Sequence, residues 1–367
     1  MPLDKARRVM KREEVHGILL LDPFNIRYFT GYKPLAAYSA SAAVIGEKGD
    51  PWLIVPDVEV ELAQAKSWFR NVQPYSMRAE EGKGSGFLDR IREAVEASGL
   101  VSGVMGLELS YVSARRFEEL KRRFPGAGFK DVSSAIADLR MVKDEAEIER
   151  LTAAVQIAES GVRTAMEFIQ PGITEIEVAA EVERTLRKAG ATQTGYPTVI
   201  ASGPRAGYPY SPASRREIEA DEFVVIAVSA VYDEYCSDLT RTVITGKPND
   251  SKKQLFEWAL KSIRLAEDQL KPGVRVSDIA TTMRKAAENG GFASSFPDVV
   301  GHSIGLQPWE PPILTTTNET PIVPGMILCI ESGIFQAALG GVRLGDTILH
   351  QKDGSYAFLS QIPLDTV

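Results

Sequence analysis

Cysteine is scarce in this sequence, and long apolar runs are absent. Among 367 residues, only Cys236 and Cys329 occur, inside strand-like apolar runs rather than a spaced framework. This placement argues against a disulfide scaffold and favours reduced thiols. No apolar run approaches the length that spans a bilayer, which excludes a membrane protein. The first residues lack the apolar core and cleavage site of a secretory signal, so we expect a cytoplasmic protein.

The sequence also lacks a basic tract. A formal net charge of −7 without a lysine or arginine cluster argues against a nucleic-acid partner. Apolar residues at 44% and charged residues at 25% are typical of a folded globular protein. A chain of this length exceeds one ordinary hydrophobic core, so two domains are expected.

The order of local patterns predicts an α/β chain with two parts. Residues up to about 125 alternate strand-like runs such as VHGILLLD with amphipathic helical runs such as LDRIREAVEAS. A Gly/Pro break in FPGAGFKD then precedes a helix start, which places a boundary near 130–140. We therefore expect one domain at residues 1–130 and a second, of helices covering a sheet, at 131–367.

The second part contains an internal repeat. A long helix, a Pro-Gly stop and a further helix appear twice, and Thr174 with Glu177 forms a capping-box signature at one of them. Two sets of positions match at a constant offset: Ile173, Glu177, Val178, Ala179 and Gly190 with Val274, Asp278, Ile279, Ala280 and Gly291. Such a duplication predicts two related halves with a site on their pseudo-twofold axis.

Four segments carry polar residues inside apolar strands, where an unpaired carboxylate would be costly. They are YDEYCSDLTRT, VVGHSIGLQPWEPP, PGMILCIESG and GVRLGDT. Asp238 and Glu331 are carboxylates in strand-like runs, and His302 lies between glycines in a turn-like segment. These three side chains are the candidate catalytic residues.

In order and spacing, these segments resemble motifs of the creatinase/prolidase/aminopeptidase P family. Two N-terminal segments, DPFNIRYFTGY and LRMVKDEAEIERL, are also similar to prolidase and aminopeptidase P sequences, so the resemblance covers nearly the whole chain. The resemblance implies a C-terminal pita-bread fold with pseudo-twofold duplicated halves, preceded by a smaller creatinase-type α/β domain. It also implies a tendency to form homodimers.

Active peptidases of that family hold two divalent ions with two aspartates, one histidine and two glutamates. The resemblance assigns three of these positions to Asp238, His302 and Glu331, which in the family all contact the same ion. The remaining two positions fall on Ala227 and Gly345, which offer no donor oxygen. We therefore expect a single ion at most, held by Asp238, His302 and Glu331, with Mn, Zn or Co suited to such a site. A site without metal is the alternative.

Two further family histidines, which contact substrate, are replaced here by Tyr210 and Trp309. These aromatic residues are either substrate contacts or space-filling replacements. Arg343 either anchors a substrate carboxylate or pairs with Asp346 or a neighbouring acid. For Asp238, an ion pair with Arg241 is the structural alternative, although the strand period sends those two side chains to opposite faces.

The resemblance implies a hydrolase similar to Xaa-Pro dipeptidase or aminopeptidase P, acting on a small molecule or short peptide through a C–N bond. Peptides, amides and amidines all fit this description. Without an ion, the pair Asp238 and Glu331 suits a cationic group, as in the metal-free relative creatinase. That enzyme, however, has a histidine at the position of Tyr210 and a glutamate at that of Thr240. A catalytically inactive binding or scaffold protein is the second hypothesis.

Overall fold

The computed structural model describes residues 2–34, 40–78, 86–271 and 273–367. The chain divides into two compact units, Met1–Leu139 and Arg140–Val367. Among the described residues, no helix is long and apolar enough to cross a membrane.

A six-stranded sheet forms the centre of the first unit, with strand order β4-β3-β2-β1-β5-β6. Neighbouring strands β1 and β5 run parallel, whereas β1 and β2 run antiparallel. The strands are β1 (Gly17–Leu20), β2 (Ala42–Gly46), β3 (Trp52–Pro56), β4 (Asn71–Tyr75), β5 (Val104–Leu107) and β6 (Gly128–Asp131). The helices are α1 (Pro2–Glu13), α2 (Pro23–Thr30), α3 (Val60–Lys66), α4 (Phe87–Ala97), α5 (Ala114–Arg123) and α6 (Ser133–Met141).

The segment DPFNIRYFTGY shows how local chemistry shapes this unit. Asp22 caps helix α2 by accepting a hydrogen bond from the backbone N–H of Phe24, and a proline occupies the first helical turn. Gly31 ends the helix with a φ of 84°. A Cβ atom at Gly31 would lie 2.5 Å from the ring of Trp68, so both conformation and space require glycine here.

The second unit pairs four helices with a large sheet. The helices are α7 (Glu145–Phe168), α8 (Glu175–Lys188), α9 (Asp250–Glu267) and α10 (Val276–Asn289). The strands are β7 (Gln193–Thr194), β8 (Val199–Ser202), β9 (Phe223–Val228), β10 (Ala230–Tyr232), β11 (Tyr235–Cys236), β12 (Leu239–Ile244), β13 (Gly301–Ser303), β14 (Glu310–Ile313), β15 (Ile327–Gln336), β16 (Gly340–His350) and β17 (Tyr356–Phe358).

Eight of these strands form one sheet in the order β14-β13-β15-β16-β12-β9-β8, with β17 paired to β16. Both faces of β9 are buried, because Val224, Ile226 and Val228 pack with residues of α7 and α8. The alternate residues Phe223, Val225 and Ala227 join a second apolar cluster that includes α9 and α10.

The predicted repeat is visible in the helices. The capping box of Thr174 and Glu177 is confirmed, since each side chain bonds the backbone of the other at the start of α8. Helix α10 starts and ends 101 residues after α8, at 276 against 175 and at 289 against 188. Each helix follows a longer helix, α7 or α9, and packs against it. The helical part of the predicted duplication is therefore present in the structure.

His350, at the end of β16, provides a test of packing in this unit. The side chain is 1% exposed and stacks on Tyr356, with ring centroids 4.4 Å apart. Neither ring nitrogen has a hydrogen-bond partner within the described part of the chain. His350→Phe keeps the stack and removes two unpaired polar atoms, so we expect the free energy of unfolding in urea to rise by about 1 kcal/mol.

His350→Ala is the matched control, because it removes the polar atoms together with the stacking ring. That variant should be less stable than the parent protein, since it leaves a cavity. A His350→Phe variant that unfolds at lower urea concentration than the parent would contradict this account.

Candidate metal centre and pocket

Adjacent strands bring the candidate residues of the second unit together. His302 lies on β13, Glu331 on β15 and Gly345 on β16, while Asp238 directly precedes β12. Glu331 is opposite Gly345 in the pairing of β15 with β16, because these strands run antiparallel in register. The sheet order β13-β15-β16-β12 therefore brings Asp238, His302 and Glu331, which are distant in sequence, close together in space.

The three candidate ligands form one buried group of donors. Nε2 of His302 lies 3.5 Å from Oδ2 of Asp238 and 3.8 Å from Oε2 of Glu331. Asp238 is 2% exposed, His302 1% and Glu331 8%. A fourth donor, Sγ of Cys329, belongs to the same group, in which all donor atoms lie within 4.8 Å of one another.

The hydrogen bonds of His302 leave one nitrogen unpaired. Nδ1 lies 3.0 Å from the backbone carbonyl of Ser303. A carbonyl can only accept, so Nδ1 donates to it, and in the neutral form of the ring the lone pair is then on Nε2. Within the described residues, Nε2 has no hydrogen-bond partner. The ring also stacks on Trp309, with centroids 4.2 Å apart, which fixes its orientation.

Neighbouring side chains orient both carboxylates. The hydroxyl of Tyr196 donates to Oδ1 of Asp238 at 2.8 Å, and Nη2 of Arg343 donates to Oε1 of Glu331 at 2.6 Å. Burial, followed by the charge of Glu331, raises the pKa of Asp238 to about 6. Burial also acts to raise the pKa of Glu331, but the Arg343 guanidinium outweighs it and holds that pKa below its usual value. The site therefore favours an ionised Glu331 beside a more basic Asp238.

The donor set fits one metal ion. Nε2 of His302 and one oxygen each of Asp238 and Glu331 lie close together, and such an arrangement suits a cation. The bond from Nδ1 to the Ser303 carbonyl is the outer contact that metal-binding histidines typically make. Ala227 and Gly345, the two remaining positions of the expected ligand set, have no side-chain donor atom.

Gly345 has little spare space around it. A Cβ atom at this position would lie 3.2 Å from Cγ and 3.4 Å from Oε1 of Glu331. The same atom would lie 3.5 Å from Cβ of Thr240, which is opposite Gly345 in the sheet. Thr240 is also opposite Ala227 on its other side. The two positions without ligands thus flank Thr240 in one row across the sheet.

A cavity of about 280 Å³ opens onto Asp238 and His302. Most of its wall consists of proline and aromatic rings, from Tyr196, Pro197, Tyr210, Pro212, Pro308 and Trp309. Tyr210 is 70% exposed and lies at the wall with Arg343, whose guanidinium is 5.9 Å from the phenol ring. The arrangement places acceptor groups among largely apolar walls, so it suits a small ligand with an apolar part.

The structure shows the ion-pair partners of the two arginines. Arg241 pairs with Asp346 at 2.6 Å, not with Asp238. Arg343 pairs with Glu331, a neighbouring acid, at 2.6 Å. Cys236 is buried, and its thiol donates to the carbonyl of Leu306 at 3.5 Å, which is the packed position that its apolar run predicts.

Cys329 is the site residue that sequence reasoning missed. Its apolar run, MILCIESG, indicates a buried thiol, yet the spacing of two residues from Glu331 places both side chains on one face of β15. His302 is directly opposite Cys329 in the pairing of β13 with β15. Burial, together with the charges of Asp238 and Glu331, raises the pKa of the Cys329 thiol well above its usual value.

Known proteins similar to this chain agree with the fold. The Xaa-Pro dipeptidase of Pyrococcus horikoshii is 33% identical over 355 residues, which covers 96% of this chain and 95% of the relative. A crystal structure of the prolidase from Pyrococcus horikoshii OT3 has a TM-score of 0.89 at 31% identity, covering 100% of this chain and 99% of that one. An Xaa-Pro dipeptidase from Bacillus anthracis has a TM-score of 0.90 at 28% identity, covering 100% and 98%.

Family assignments cover both parts of the chain. Residues 2–142 match the creatinase/prolidase N-terminal domain, and residues 149–352 match metallopeptidase family M24. Together with the prolidase structures, these matches confirm the predicted creatinase-type domain followed by a pita-bread domain. The chain therefore belongs to metallopeptidase family M24, within the creatinase, prolidase and aminopeptidase P group.

Proposed function

We propose that this protein hydrolyses a C–N bond in a small substrate, with Xaa-Pro dipeptides as the first class to test, using at most one metal ion. The convergence of Asp238, His302 and Glu331, with Asp238 and His302 lining the cavity, is the observation that carries the proposal. Relatives named Xaa-Pro dipeptidase support the substrate class. A cytoplasmic homodimer stays a prediction from the sequence.

In this proposal, Asp238, His302 and Glu331 would hold a divalent ion, which when bound would supply Lewis-acid polarisation of the substrate carbonyl or of a water molecule. The protein's own residues hold the reactants. Arg343 keeps Glu331 ionised and oriented, and Tyr196 fixes one oxygen of Asp238 while the other faces His302. Trp309 covers one face of His302 and limits the access of water.

A binding or scaffold protein is the second candidate. One observation favours it: the ion pair of Arg343 with Glu331 already compensates one buried carboxylate without any metal. A small cationic ligand could then occupy the position between Asp238 and His302. This candidate retains the cavity and its aromatic wall but requires no catalysis.

Metal analysis of the purified protein tests the proposal. After separate incubation with Mn(II), Zn(II) and Co(II), we expect about one ion per chain, as a single cluster of donors requires. Asp238→Ala should retain no ion, because it removes one of the three converging acceptors, and hydrolysis of Xaa-Pro dipeptides should fall to background. Asp298→Ala is a matched control, since the Asp298 side chain is 94% exposed.

Each outcome separates the two candidates. An ion that is lost in Asp238→Ala, together with hydrolysis lost in the same variant, supports the hydrolase. A protein that binds no ion and cleaves no dipeptide overturns the hydrolase proposal. The binding protein is then the remaining candidate, and cationic ligands are tested next.

A further inference from the structure

Cys329 is the one member of the donor group that the family ligand set does not include. It is 0% exposed, lies on β15 and shares a sheet face with Glu331. In the antiparallel pairing with β13 it is directly opposite His302. Its sulfur lies within 4.8 Å of each of the three other donor atoms. The cluster thus contains one nitrogen, two oxygens and one sulfur.

We propose that Cys329 is a metal ligand, and that the site therefore selects a thiophilic divalent ion such as Zn²⁺ or Co²⁺ over Mn²⁺ or Mg²⁺. Thiolate donors favour zinc and similar ions, whereas manganese and magnesium prefer sites made of oxygen. The inference rests on the single-ion site proposed above and specifies which ion it takes.

Binding of the ion to Cys329 releases one proton. The S–H bond of Cys329 breaks, a bond from sulfur to the ion forms, and the proton passes to the solvent. No oxidant or reductant is required. The carboxylates of Asp238 and Glu331 in their ionised form, and His302 with a lone pair on Nε2, bind the ion without losing a proton.

The second cysteine offers an internal contrast. Cys236 is buried like Cys329, but its thiol contacts the carbonyl of Leu306, and it does not belong to the donor cluster. Neither cysteine forms a disulfide, and the sequence has no other cysteine. A thiolate signal from a bound ion can therefore be assigned with only two substitutions.

Cobalt substitution provides the test, with absorption spectroscopy as a readout independent of activity. Co(II) bound to a thiolate absorbs in the near ultraviolet through sulfur-to-metal charge transfer. We expect this band in the parent protein and in Cys236→Ser, and its loss in Cys329→Ser. In competition between Zn(II) and Mn(II), we expect the preference for zinc to fall about 10- to 100-fold in Cys329→Ser.

The outcomes distinguish this inference from the proposed function. Co(II) bound without a charge-transfer band, and with equal affinity in Cys329→Ser, overturns the role of Cys329 but leaves a single-ion hydrolase intact. No bound ion in the parent protein overturns both. If Cys329→Ser fails to fold, Cys236→Ser decides alone, because a thiolate band in that variant can only come from Cys329.

Discussion

Restoring both missing carboxylates, with Ala227→Asp and Gly345→Glu together, is expected to raise bound metal from about one to about two ions per chain. Hydrolysis of Xaa-Pro dipeptides should rise as well, because a second ion would help to stabilise the attacking and leaving groups. The reason is geometric. Both positions flank Thr240 in one row of the sheet, and Gly345 is opposite Glu331. New carboxylates there extend the existing donor group rather than create a separate one.

The substitution at Gly345 requires a small local movement. Its Cβ atom would meet Cγ of Glu331 at 3.2 Å, so the Glu331 side chain must move by a few tenths of an ångström. Ala227→Asn with Gly345→Gln is the control, because it has nearly the same shape but weaker metal ligands. Metal content by elemental analysis and initial rates on dipeptides are measured for both. A carboxylate double variant that binds no additional ion would contradict this account of the site.

Much of the molecule could be predicted from the sequence because its signals are local. The spacing of apolar residues and the Thr174 capping box predict the second helix of each half of the repeat. Asp238 and Glu331 can be identified as carboxylates inside apolar strand runs. Burying an unpaired carboxylate costs free energy, so such positions suggest a functional role. The resemblance to prolidases then adds His302, whose glycine-rich setting would otherwise suggest only a turn.

Contacts between strands could not be predicted in the same way. The position of Cys329 opposite His302 depends on the register of β13 with β15, which no local pattern specifies. The partners of the two arginines depend on the same kind of information. Arg343 and Asp346 are close in sequence, yet they bind Glu331 and Arg241 respectively. The two-residue period of a strand predicts on which face a side chain lies. The residue opposite it in the neighbouring strand is known only from the three-dimensional structure.

Replacing Arg241 is expected to cause the largest loss of stability in the second unit. The side chain is fully buried and donates to the carbonyls of Thr240, Gly345, Ile362 and Pro363 as well as to Asp346. These bonds use five N–H donors, the full number that a guanidinium has. Arg241→Met should lower the free energy of unfolding by about 3–5 kcal/mol, because Asp346 is left buried without its partner.

A thermodynamic cycle with Asp346→Asn separates the charge from the backbone contacts. If the loss comes mainly from an unpaired Asp346, the double variant should recover part of the stability in guanidinium chloride. Arg241→Lys keeps the charge but has only three donors, so it should remain well below the parent protein. Limited proteolysis should then cleave near Ile362, since Arg241 holds the carbonyls of residues 362 and 363. An Arg241→Met protein within about 1 kcal/mol of the parent would show that these buried bonds contribute little net stability.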